Sequence, residues 1–213
     1  MAAQAKSQRI VIKPIDERFL KLHIRGTSPL CTHRFGSKAR GILVGIQEEG
    51  DTNNRAKKKP REKKDFEAEF KDATYTSPEG WHGVNASAFR HAAIAAGRVK
   101  NFTMTKMKQA IFIVEDGRDA AEDTALVRII ADEPENWIKE ARNKNGSTDL
   151  RARPLWKKWE MIVTVRYNAE ILTASDVVNL FHHVGRYVGI GEGRPDSRMS
   201  AGMDFGLFEL VND

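Results

Sequence analysis

From Trp159 to Leu210 the chain is committed to one path: an alternating strand, a capped helix, a glycine-spaced turn and a second short apolar strand. Trp159, Met161, Val163, Val165 and Tyr167 recur at every second residue, so one face of a strand is apolar. Thr173 and Asp176 have the spacing of a capping box, with aspartate in place of the stronger Glu or Gln. Val177, Phe181, Val184 and Val188 then make the buried stripe of a helix. Gly185, Gly189, Gly191, Gly193, Gly202 and Gly206 follow, with Arg186, Arg194 and Arg198 among them. Glycine admits close backbone approach, and arginine offers the forked donor that phosphate binding favours. A glycine–arginine loop between a helix and a strand points to a site rather than to a core.

The N-terminal half carries a second ordered set. Phe19–Gly26 alternates Leu20, Leu22 and Ile24 with Lys21, His23 and Arg25. The basic row is either a solvated outer face or a sheet face that meets a polyanion. Leu30–Gly45 mixes His33, Arg34, Lys38 and Arg40 with Phe35. Charge beside a ring suits single-stranded nucleic acid, and a solvated loop anchored by Phe35 explains the same residues. Asn85 is a good N-cap for an alanine-rich helix over Ala86–Ala96, and Gly97 sits where a C-terminal glycine belongs. Phe89, Ala92, Ala93 and Ala96 form its packing face. Strands are expected at Gln109–Glu115, Ala125–Ala131 and Met203–Leu210.

Two polar stretches interrupt these elements. Gln47–Lys64 is lysine-rich and reads as a solvated loop or linker, with a short helix at Asp65–Lys71. Asp132–Lys158 holds Trp137, Trp156 and several arginines. Tryptophans packing an insertion onto the domain explain it, as does a basic clamp on nucleic acid. The chain therefore reads as one α+β domain over residues 1–213. Its core is a ferredoxin-like or RRM-like split βαβ arrangement, with long polar insertions at about 46–78 and 132–158.

A net charge of +6 fits a nucleic-acid partner without requiring one. The single cysteine, Cys31, excludes an intrachain disulfide and a cysteine-rich zinc site. GxxxxGK[ST], HExxH and a dinucleotide fingerprint are all absent, and no cofactor or metal is expected. No apolar run reaches membrane-spanning length and nothing resembles a signal peptide, which points to the cytoplasm.

Three segments fall in a telling order: KLHIRGTSPLCTHRFGSKA, GVNASAFRHAAIAAGR and GRYVGIGEGRPDSRMSAGMDFGLFEL. The layout resembles the RAMP superfamily, whose members build and process the guide-RNA complexes of CRISPR systems. It also resembles tailed-phage and prophage proteins with the same opening and ending, which would place it in a bacterial host cytoplasm. The resemblance implies a non-catalytic binder of RNA or single-stranded DNA, forming a homo-oligomer or filament along its ligand. Lys21, Arg25, His33, Arg34, Phe35, Lys38, Arg40, Arg90, Gly189, Gly191, Gly193, Arg194 and Arg198 would make the contacts. RAMP subunits that cut target RNA use an aspartate after the first strand. Thr27–Arg40 has no acidic residue, and His33 is its only acid–base group. A metal-independent endoribonuclease would pair His33 with His82 or His91. The remaining alternative is a phage interaction or inhibitor protein that holds a nucleotide or a host complex.

Overall fold

The computed structural model describes residues 14–36, 40–41, 44–45, 63–142, 148–197 and 203–211. It is an α+β structure with three antiparallel sheets and four helices among those residues. The main sheet has the order β10-β1-β9-β4, made of Phe208–Leu210, Glu17–Gly26, Glu160–Asn168 and Ile111–Val114. Register follows from the alternation: Leu20 pairs with Val165, Leu22 with Val163 and Ile24 with Met161. A shift of one residue would turn both apolar rows to water.

Two helices cover that apolar face. The first is α2, Ala86–Val99, capped by Asn85, whose side chain accepts from the Ser87 N–H. The second is α4, Ala174–His183, which begins with the expected capping box. Asp176 is held below the ordinary carboxylate value by its hydrogen bonds from Thr173. Phe89, Phe181, Met161, Val163 and Val165 are fully buried between the layers. Gly97 does not end α2. It lies inside the helix, where a Cβ would meet Met107 Cγ at 2.8 Å. Met107 belongs to α3, Met104–Ala110, so this glycine lets two helices touch. The expected strand at Gln109–Glu115 is therefore split: its first two residues finish α3, and β4 starts at Ile111. α4 runs into a π-helical turn, Val184–Val188, closed by Gly189 N–H donating to Val184 O at 2.8 Å.

The second polar stretch is largely β-structure. β7, Glu135–Arg142, and β8, Thr148–Trp156, form a hairpin that also carries β2, Leu30–Cys31. α1, Phe66–Ala73, lies on that hairpin: Glu69 accepts from the Ala152 N–H at 3.2 Å, and Lys64 donates to Asp149 at 3.0 Å. Trp156 is buried, and Trp137 packs edge-on against Phe205 at 5.5 Å, which favours the packing explanation for the tryptophans. The strand expected at Ala125–Ala131 is β6, Ala125–Arg128, but it does not join the main sheet. It pairs with β3, Gly83–Asn85, and β5, Gly117–Arg118. A backbone bridge, Ile130 to Glu160, ties this small sheet to the large one.

Asp119 anchors the turn between β5 and β6. Its buried carboxylate accepts from the backbone N–H groups of Thr76, Ala121 and Glu122 at 2.9–3.1 Å, and from Arg34 Nη1 at 3.1 Å. Among the described residues no helix is long and apolar enough to cross a membrane. The lysine-rich stretch up to residue 62 lies outside the described residues.

Candidate functional site

One cleft of about 500 Å³ gathers much of what the sequence singles out. Its walls come from the segment after β2, the start of α2, and the glycine loop after the π-helical turn. Thr32, His33 and Phe35 stand on the first wall. Asn85, Ser87, Ala88 and His91 stand on the second, and Gly191, Glu192, Arg194 and Asp196 on the third. Phe35 is 51% exposed at this cleft.

The glycine loop is sewn to its neighbours by backbone bonds. Glu192 N–H donates to Cys31 O at 2.8 Å, and Gly206 N–H donates to Pro29 O at 2.8 Å. Gly189, Gly191 and Gly193 all have φ between 70° and 78°. At Gly191 the reason is double: the left-handed backbone disfavours a Cβ, and a Cβ would run into Cys31 O. The space freed by these glycines is thus occupied by the protein itself, by Cys31, Phe205 and Met203. Arg194 folds back to donate to Gly191 O at 3.0 Å, which fixes its guanidinium at the cleft.

Beneath the loop lies a charged pair. Arg153 is 2% exposed, and its Nε is 3.3 Å from Glu192 Oε2. The same oxygen accepts from His33 Nδ1 at 3.1 Å. Burial pushes the Glu192 carboxyl up, but the His33 hydrogen bond and the Arg153 charge outweigh it and hold the group below its ordinary value. An ionised carboxylate only accepts, so Nδ1 of His33 is the donor in this bond. Burial also pushes the Cys31 thiol up to about 12.

The other expected contact residues are scattered. Arg34 is drawn inward between Asp72 and Asp119, which its position in the sequence did not announce. Arg40 pairs with Glu122 at 2.7 Å. Arg90 donates to the carbonyls of Ile111 and Lys108 and stacks 4.5 Å from the Phe112 ring, so it holds the α3–β4 junction. Lys21 and Arg25 lie on the open face of β1, and there Arg25 donates to Glu160 at 2.7 Å. That bond, with a second from His23, holds Glu160 below its ordinary value. Lys38 and Arg198 lie outside the described residues.

Of the two histidines expected as partners for His33, His91 shares its cleft. His82 is engaged elsewhere, with Thr76 at 3.1 Å and Glu133 at 3.2 Å. Sequence reading passed over Glu192 and Asp196, and counted Arg153 only among the basic residues of Asp132–Lys158 that could clamp a strand. The first two sit inside GIGEGRPD, so their place in the glycine loop was a usable signal. Nothing in the sequence around Arg153 marks it as buried. Among the described residues no cluster of His, Cys, Asp and Glu is placed to hold a metal ion. No protein-family model matches the chain, and no curated protein matches it.

Proposed function

We propose that the chain binds single-stranded RNA or DNA, with this cleft as its central contact. Convergence carries the reading: the loop after β2, the start of α2 and the glycine loop are far apart in sequence and line one cavity. They are the three segments on which the RAMP resemblance rests. Phe35 offers a ring to a base, while Arg194 and the positive end of α2 would attract the phosphates that flank it. The strand order β10-β1-β9-β4, with α2 and α4 on one face, favours a ferredoxin-like core for the same reading. Assembly of copies along the strand belongs to the proposal.

Fluorescence anisotropy with a labelled unstructured oligonucleotide tests it. Phe35→Ala and Arg194→Ala are each expected to weaken binding by roughly 5- to 100-fold, the range for a lost base stack or charged contact. Affinity of the parent protein should fall with added salt. Binding by the double variant equal to that of the parent would remove the cleft from the proposal.

A second reading rests on the His33–Glu192 hydrogen bond. A histidine oriented by a carboxylate is the arrangement of a general base, and His91 stands in the same cleft as an acid. On RNA, His33 Nε2 would take the 2′-hydroxyl proton and the 2′-oxygen would attack phosphorus. The bond to the 5′-oxygen would break as His91 protonates it. This reading expects cleavage of RNA in EDTA to a 2′,3′-cyclic phosphate, lost in His33→Ala and absent on DNA. An intact strand under those conditions removes cleavage and leaves binding standing.

A further inference from the structure

The charges in the cleft do not suit a phosphate at its centre. Glu192 is already paired with Arg153 and His33. Arg194 faces the cleft with one nitrogen spent on Gly191 O. Asp196 lines the same wall as an exposed carboxylate, without a hydrogen bond or ion pair among the described residues. A phosphate seated inside would bring a full negative charge to two carboxylates. A neutral, flat group with N–H donors would instead pair with Asp196 without charge repulsion and lie beside the rings of Phe35, Tyr75 and His91, which also line the space. Burial pushes the Tyr75 phenol up, so it stays protonated and able to donate.

We propose that the cleft holds one nucleobase of the bound strand, and that Asp196 selects guanine. This rests on the strand-binding reading above and adds a sequence preference to it. Guanine is the base whose Watson–Crick edge presents two adjacent donors, N1–H and the N2 amino group. A carboxylate accepts both at once, as a charge-assisted bidentate pair. Adenine and cytosine present one amino donor beside an acceptor, which would face the carboxylate unfavourably. Tyr75, hydrogen-bonded to the Asn85 side chain, stands on the same cavity to meet a remaining acceptor of the base. Phosphates on either side of the inserted base then fall outside the cleft, away from Asp196.

The test uses the full chain and short unstructured oligonucleotides that differ at one base. A single guanine is expected to bind about 10- to 100-fold more tightly than a single adenine, the range for a pair of bonds to a charged acceptor. Inosine, which keeps N1–H and lacks the amino group, should fall between them. Asp196→Asn should collapse the guanine-to-adenine ratio, chiefly by weakening the guanine strand. Equal binding of all strands by the parent protein overturns base selection and spares the strand reading. An unchanged ratio in Asp196→Asn overturns the role of Asp196. Binding of none of the strands overturns both proposals. Guanosine monophosphate separates the two sources of the base. If it competes as well as the guanine strand, the pocket belongs to a free nucleotide and the strand form is overturned.

Discussion

Asp119→Ala is expected to destabilise the protein by about 3–5 kcal/mol, the range for stripping one partner from a buried charged pair. The carboxylate is fully buried and serves four donors at once: three backbone N–H groups and Arg34. Alanine leaves all four without an acceptor. For a chain of this length the midpoint of thermal unfolding should fall by roughly 6–20 °C. Asp119→Asn keeps one acceptor oxygen and should lose markedly less. Circular dichroism melts of the three proteins decide the matter, and a fall under about 1 kcal/mol would show that Asp119 is not the anchor. The effect reaches the cleft as well. Arg34 ties the segment carrying His33 and Phe35 to Asp72 and Asp119, so loosening Asp119 displaces one wall.

Glu192→Ala is expected to cost about 3 kcal/mol, since it leaves Arg153 charged and buried without its partner. The figure sits at the low end because a third of the Glu192 side chain still meets water. The loss has a pH signature. Glu192 is held below its ordinary value in the fold, so its contribution is complete above the unfolded value of about 4.3 and disappears as pH falls through the lower, folded value. Urea unfolding of the parent at pH 7 and near pH 3 should therefore differ more than the same pair of measurements on Glu192→Ala. Equal pH dependence in the two proteins would mean that the carboxylate does not hold the loop through its charge.

Local pattern made the main sheet and its helices legible. The period-two row from Trp159 to Tyr167 is buried residue by residue, and the Thr173–Asp176 cap closes as its spacing predicts. Where the expectation failed, a tertiary contact outweighed a local rule. Gly97 looked like a helix terminator because glycine usually ends helices. It is there because Met107 lies against it. The stretch Asp132–Lys158 read as a polar insertion because of its many charged residues. Pairing between β7 and β8, eight residues in register, supplies what the pattern lacked. The cleft was half legible. Phe35, His33 and Arg194 stood out by type and neighbourhood. Arg34 and Arg90 were indistinguishable from them in sequence, because nothing local tells an arginine that reaches a buried aspartate from one that reaches a ligand.

Cys31 turns the seam between β2 and the glycine loop into a measurable quantity. It is the chain's one thiol, with no exposed surface, and its backbone carbonyl receives the Glu192 N–H that closes the seam. With a pKa of about 12 it carries almost no thiolate at neutral pH while the seam is shut. A thiol reagent added to the native protein therefore reports how often, and for how long, that edge of the cleft breathes. The same reading taken with an oligonucleotide present separates a ligand that clamps the loop from one that merely rests on it.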